Sequence, residues 1–239
     1  MYKRISGTSK LIFSLLIICS LMFSGACYNK KIHVSEKKAL MPRIGVLVFV
    51  GFQAAIPLGE KGKVVRDSLS GAIFMAEPVA PDIVQKMTDI LFDRLVTIKK
   101  YELVSPDQAK GAFSNIVDSD KNVGMEPAAI LQKVGKTFGA DAVLTGCLYR
   151  WRERVGTDYA VDRPASVAYD LHLIRPADGA IIWRAKFDKT QASLSENFLD
   201  LATFIQSGGR WMTVEHLAMI GLKNILKDMP AGLKKSGDL

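Results

Sequence analysis

The chain has 239 residues, 49% of them hydrophobic and 23% charged, which is the balance of a globular domain with extensions and excludes a disordered or fibrous chain. The formal charge is +8, yet Lys3, Arg4 and Lys10 supply three of those positives before any acidic residue occurs. Beyond them 29 basic residues face 24 acidic ones, an excess too mild to indicate nucleic acid.

Residues 1–26 fall into three parts: a positive start, an almost wholly apolar run from Leu11 to Phe23, and the small residues Ser24-Gly25-Ala26. This is the layout of a secretory signal, and the apolar run is too short to span a bilayer comfortably. The stretch Phe23-Ser24-Gly25-Ala26-Cys27 resembles the bacterial lipobox, with Ser24 where leucine is most usual. The resemblance implies cleavage before Cys27 and acylation of its thiol; a diacylglyceryl group plus an N-acyl chain exceeds what stable anchoring needs. Tyr28 follows the cysteine in place of aspartate, which by resemblance to enteric sorting rules implies the outer membrane, on its periplasmic face. Residues 27–42 then read as the lipidated cysteine and a flexible tether. Asn29, Lys30, Lys31, Ser35, Glu36, Lys37 and Lys38 show no period before Pro42, and such a tether reaches about 20 Å root-mean-square. Its lysines suit anionic headgroups. Cys19 leaves with the leader, so Cys147 remains as an unpaired thiol, and Leu144-Thr145-Gly146-Cys147-Leu148-Tyr149 places it in a buried strand as a small core residue.

Arg43–Val50 is a short continuous apolar run, expected to be a strand buried on both faces. Gly51–Glu77 has no helical period and is long for a loop, so it is either functional or carries short structure. Pro81 suits a first helical turn. After it Ile83, Met87, Ile90, Leu91, Leu95 and Ile98 share one helical face. Tyr101–Val104 is a brief strand, and Ser105-Pro106-Asp107-Gln108 has the spacing of a capping box that opens a second helix. Asp118–Gly124 is a polar loop. Pro127 starts a third helix that runs through Phe138 and stops at Gly139. From Asp141 the period becomes two, predicting strands over Ala142–Val155, Ser166–Ile174 and Ala180–Thr190, with Pro176-Ala177-Asp178-Gly179 as a hairpin turn. A last helix over Val214–Leu226 ends before Pro230, and 231–239 form a polar tail. The order β-α-β-α-α-β-β-β-α defines an α/β fold over 43–230: a single mixed β-sheet with packed helices, preceded by a signal peptide and tether.

Strand Ile44–Phe49, helix Ile83–Ile98 with Tyr101-Glu102-Leu103-Val104, the run Gly139-Ala140-Asp141-Ala142-Val143-Leu144-Thr145-Gly146 and Gly179-Ala180-Ile181-Ile182-Trp183 together resemble a group of envelope lipoproteins. The group takes in CsgG, LpoB, PelC and the amino-terminal domain of TolB, with a fold similar to the anticodon-binding domain. The resemblance covers most of 43–228 and implies an oligomeric pore, scaffold or activator, not an enzyme. One departure matters. The hairpin comparable to the barrel strands of the curli pore protein carries Arg150, Arg152, Glu153, Arg154, Asp158, Asp162 and Arg163, and charges on a lipid face are costly. That argues against a transmembrane barrel.

Chemistry is sparse in the sequence. His33, His172 and His216 have no metal-ligand spacing with one another or with cysteine, and His172 and His216 read as solvated or core-edge residues. Gly59-Glu60-Lys61-Gly62-Lys63 lacks the first glycine of a phosphate loop. Asp118, Asp120 and Asn122 begin like a calcium loop, but Gly124 is one place late and Ala129 stands where glutamate is required. Ser68-Leu69-Ser70-Gly71 makes no nucleophile elbow. No catalytic set, metal or cofactor is expected. In the strands, Val167, Tyr169, Leu171 and Leu173 oppose Asp170 and His172, while Ile181, Trp183, Ala185 and Phe187 oppose Arg184, Lys186 and Asp188. Arg150, Arg152 and Arg154 alternate with Tyr149 and Trp151. The charged rows are expected to form one outward, largely basic face, and Arg150, Trp151, Arg152, Arg154, Arg184 and Lys186 are the candidate docking residues. An acidic envelope protein, an anionic glycan or lipid headgroups would suit it; nucleic acid is excluded by compartment. The functional expectation is a lipid-anchored, non-enzymatic oligomeric scaffold or accessory factor in export or envelope biogenesis. The alternative is a periplasmic activator of a cell-wall synthase.

Overall fold

A computed structural model describes residues 43–98, 100–117, 124–157, 160–191 and 211–232. The leader, Cys27, the tether, His33, the core of the polar loop at 118–123 and the tail from 233 lie outside these residues. Among the described residues nine strands and four helices run in the order β1 (Val46–Ala54), β2 (Lys63–Arg66), β3 (Ile73–Ala76), α1 (Pro81–Ile98), β4 (Glu102–Val104), α2 (Pro106–Val117), α3 (Pro127–Thr137), β5 (Ala142–Arg152), β6 (Val155–Gly156), β7 (Val161–Arg163), β8 (Ser166–Ile174), β9 (Ile181–Thr190) and α4 (Val214–Ile225), with a short 3-10 turn at Leu226–Asp228.

Five strands form the main sheet, in the order β4-β1-β5-β8-β9. β1 is parallel to both β4 and β5, while β5, β8 and β9 are antiparallel neighbours, so the sheet is mixed and open. This is the predicted α/β architecture, with two small hairpins added. The Asp141 carboxylate fixes the start of β1 by accepting from Gly45 N at 2.8 Å and Val46 N at 2.9 Å.

Alternation along the strands supplies two apolar faces. On one, Leu144, Leu148, Tyr169, Leu171, Leu173 and Trp183 pack with Met87, Leu91 and Leu95 of α1 and Leu217, Ala218 and Leu222 of α4. On the other, Val48, Val143 and Ile174 meet Ala109 of α2 and Leu131 and Val134 of α3. The second face is longer than those two helices cover. Its remaining part lies under hairpin β2–β3, where Phe74 and Ala76 pack with Ile56, Tyr149 and Ala168.

Helix starts follow the local chemistry. Ser105 and Gln108 form the reciprocal box at α2: Ser105 N donates to Gln108 Oε1 at 3.2 Å and Gln108 N donates to Ser105 Oγ at 3.4 Å. Replacing Ser105 by alanine is expected to cost about 1 kcal/mol, read as a melting point lower by about 2–4 °C for a domain of this size. The turn between β8 and β9 closes with Gly179 at φ +75° and an Arg175–Asp178 ion pair at 2.6 Å. That pair, through the Arg175 hydrogen bond first, pulls the exposed Asp178 carboxyl down to about 2.

Two boundaries differ from the sequence reading. β1 begins at Val46, not Arg43, and runs on through Gly51 to Ala54. Gly51 permits this because it takes φ +97° at a register shift, with Thr88 packed where a side chain would point; Thr88 Oγ1 accepts from Phe52 N at 2.9 Å. β5 ends at Arg152, and Val155–Gly156 turn off into the small hairpin with β7. Gly51–Glu77 carries short structure, one of the two alternatives its length left open: it holds the end of β1 and the whole of hairpin β2–β3.

Candidate functional site

The hairpin reverses the expectation for the polar rows. All nine residues of β8 are buried, and its polar row of Ser166, Ala168, Asp170 and His172 faces the hairpin instead of solvent. Small side chains at 166 and 168 let the hairpin approach closely. Asp170 and His172 are each only 2% exposed. They are not the solvated residues that alternation predicted.

A β-bulge causes the second correction. Register shifts between Leu148 and Arg150 against β8, so Tyr149 and Arg150 both turn toward the hairpin instead of alternating. Tyr149 stacks on Phe74 with ring centroids 3.7 Å apart and planes 7° from parallel. Arg150, expected on the outward basic face, is 7% exposed. Its guanidinium donates to Ser166 Oγ at 2.7 Å, Met75 O at 3.0 Å and Asp188 Oδ1 at 2.5 Å, which ties β3 to the sheet through β5, β8 and β9.

Where the hairpin turns, Asp67 follows β2 directly. Its main chain closes the turn (Asp67 N to Ala72 O, 2.8 Å; Gly71 N to Asp67 O, 3.0 Å) with Gly71 at φ +72°. Its carboxylate accepts from Ser70 N at 2.5 Å and Ser70 Oγ at 2.6 Å. The turn thus presents a buried carboxylate to the sheet. Asp67 Oδ2 lies 3.5 Å from His172 Nε2, and His172 Nδ1 lies 3.8 Å from Asp170 Oδ1. One donor atom from each of Asp67, Asp170 and His172 falls within 4.8 Å of the other two. Tyr149 OH donates to Asp170 Oδ2 at 3.0 Å, leaving Oδ1 as a buried side-chain oxygen with no hydrogen-bond partner among the described residues.

The electrostatics follow from burial. It pushes the Asp170 carboxyl up to about 7, with the Asp67 charge adding to the rise. Burial acts on Asp67 in the same sense, but the Ser70 hydrogen bonds outweigh it and hold that carboxyl below its ordinary value. Burial also lowers His172, against the pull of Asp67, so its imidazole is neutral at pH 7. Cys147, on β5 beside Asp170, has its thiol raised to about 12 by burial and then by the Asp170 charge. It is half-buried and, as a thiol, unreactive. A cleft of about 430 Å³ opens over Asp170 and His172, walled by Ser70, Gly71, Arg184 and Lys186.

The docking residues read from the sequence are dispersed. Arg184 and Lys186 are exposed at the rim of this cleft, and Lys186 also reaches Ile73 O at 3.1 Å and lies 4.0 Å over the Phe74 ring. Arg152 is half-buried and paired with Glu77. Arg154 donates to Trp211 O at 2.6 Å. Trp151 turns to the main core, its Nε1 donating to Glu153 at 3.1 Å. The sequence reading missed the Asp67–Asp170–His172 group, since Asp67 stands far from the other two along the chain. The available signal was the pair of small residues, Ser166 and Ala168, on the same strand face as Asp170 and His172.

Elsewhere on the hairpin the outward face carries three apolar side chains beside the exposed Arg66, which pairs with Ile73. Val64, Ile73 and Met75 are 62%, 55% and 62% exposed, and Val64 pairs with Met75 across the two strands.

No family model matches the chain, and no curated protein matches it. Among solved structures the chain is similar to a PelC dodecamer from Paraburkholderia phytofirmans, at 15% identity and a TM-score of 0.44, over 80% of this chain and 93% of that one. It is also similar to the LpoB C-terminal domain from Escherichia coli, at 16% identity and a TM-score of 0.37, over 63% and 86%. Lipoprotein GNA1162 from Neisseria meningitidis gives 14% and 0.39, over 73% and 99%. PelC and LpoB are members of the lipoprotein group that the sequence resembles.

Proposed function

We propose that the chain is an acylated lipoprotein of the bacterial envelope that works by assembling with copies of itself, as a non-enzymatic scaffold or accessory factor in export or envelope biogenesis. The outward face of hairpin β2–β3 carries this reading. Val64, Ile73 and Met75 stand in water on a short two-stranded element that needs no apolar residue there for its own packing, while Phe74 and Ala76 already fill its inner face. Contiguous apolar surface of this kind marks an interface. The three-part leader ending at Cys27 supports the anchor, with the outer membrane as its site. Arg184 and Lys186, on β9 beside the hairpin turn, support contact with an acidic envelope protein or an anionic glycan.

Two measurements test the reading. Mass spectrometry of the mature protein is expected to show three acyl chains on Cys27; an unmodified thiol there would remove the anchor. Native mass spectrometry of the full acylated chain in detergent is expected to give a discrete oligomer. The double variant Val64→Asp, Met75→Asp should shift it to monomer with its circular dichroism unchanged. A wild-type monomer at all accessible concentrations sinks the assembly.

A further inference from the structure

Two carboxylates and an imidazole under the hairpin pose an electrostatic problem that the described residues leave open. Asp67 and Asp170 lie within 4 Å of His172, yet no lysine or arginine makes an ion pair with either among those residues. Arg184 and Lys186 are the nearest cations in position, and both stand at the cleft rim; Lys186 is engaged with Ile73 O, Phe74 and Asp188. Leaving a carboxylate oxygen buried and unpartnered is unfavourable unless something neutralises it.

A proton on Asp170 answers this only in part. Placed on Asp170 Oδ1, it needs an acceptor within about 3 Å, and His172 Nδ1 is 3.8 Å away. A divalent cation answers it better. Metals bound by oxygen and nitrogen sit about 2.0–2.2 Å from each donor, which places tetrahedral donors about 3.4 Å apart. The edge from Asp67 Oδ2 to His172 Nε2 already measures 3.5 Å. Asp170 Oδ1 lies nearer the other ring nitrogen, Nδ1, and since one donor of each residue falls within 4.8 Å of the other two, closing the set on one nitrogen takes a swing of the Asp170 carboxylate. Tyr149 OH behaves as an outer-shell support by holding the other oxygen of Asp170, and Ser70 N and Oγ fix Asp67 Oδ2 in place toward His172.

We propose that Asp67, Asp170 and His172 form a structural site for a first-row divalent cation, Zn2+ or Mn2+, which fastens hairpin β2–β3 to strand β8. Two carboxylates and one imidazole suit metals of that class. The three donors leave a fourth position toward the cleft, where water completes the coordination. Asp67 comes from the hairpin turn and the other two from the sheet, so the ion cross-links elements that chain order keeps far apart. The site stands whether or not the chain self-assembles.

The test uses the full acylated chain in detergent, without a histidine tag, freed of metal by a chelator and then dialysed. Isothermal titration with ZnCl2 and with MnCl2 is expected to show one ion per chain, with a dissociation constant of about 10 µM or tighter for at least one of them. Asp170→Asn and, separately, Asp67→Asn are expected to weaken it by at least about tenfold. Binding that survives both substitutions unchanged is adventitious and overturns the proposal, as does absence of saturable binding by either metal. Should the variants misfold, limited proteolysis of the unsubstituted chain decides. Cleavage within 60–76 should slow on adding the ion and recover with chelator; cleavage indifferent to both overturns it.

Discussion

Replacing Arg150 by methionine is expected to lower stability by about 3 kcal/mol and to loosen hairpin β2–β3 before the rest of the domain. Methionine keeps the apolar stem of the side chain but none of its three bonds, to Ser166 Oγ, Met75 O and Asp188. Breaking a buried ion pair costs about 3–5 kcal/mol. Asp188 is about a third exposed, so solvent absorbs part of that loss and the lower end applies. A ΔΔG of that size shifts the melting point by about 6–12 °C in a domain of this length. Proteolysis should find new cuts between Lys63 and Ala76 well below the melting point. An unchanged denaturation midpoint would mean that Arg150 merely fills space.

Gly146→Val is the second large effect. Gly146 lies in the middle of β5, and a Cβ there meets Phe52 Cδ1 and Cε1 at 2.5 Å and Leu171 Cδ2 at 2.9 Å. Neither neighbour has room to yield. Phe52 stands edge-on to Tyr169 with centroids 5.9 Å apart, and Leu171 is fully buried on the adjacent strand. Overpacking of this kind costs about 1–3 kcal/mol per site, and valine at a central strand with rigid neighbours falls at the upper end. Chemical denaturation should show about 3 kcal/mol lost. Adding Phe52→Leu should make the pair cost less than the two changes summed, because the clash and the contact share one partner. Strict additivity would place the damage elsewhere.

How far the sequence reveals the fold depends on whether each signal is local. α1, α2 and α3 begin at Pro81, Pro106 and Pro127, where proline and the Ser105–Gln108 box write their own boundaries. β8 and β9 are found to within a residue because a marked turn separates them. Hairpin β2–β3 leaves no such trace: its four-residue strands put Val64, Ile73 and Met75 outward, which hides the alternation a half-buried strand shows. That one omission governs the rest. With the hairpin unseen, Asp170, His172 and Arg150 read as solvent residues, whereas its inner face buries them. The bulge at Leu148/Arg150 is equally silent, since one extra residue inverts the alternation only where a partner strand is known. Arg184, Lys186 and Asp188 lie at the margin of the hairpin, and that row of β9 stands exposed as alternation required.

The position of β1 bears on how the molecule is made. It is the first of the described strands, yet it sits inside the sheet, held on one side by the three residues of β4 and on the other by β5. A chain delivered from its amino terminus therefore carries a sticky, greasy ribbon, Val46–Ala54, with no lasting mate until the stretch from Ala142 onward has arrived. Such late pairing makes for slow maturation and a long window of vulnerability to clumping. During it, the nascent polypeptide depends on whatever escorts it.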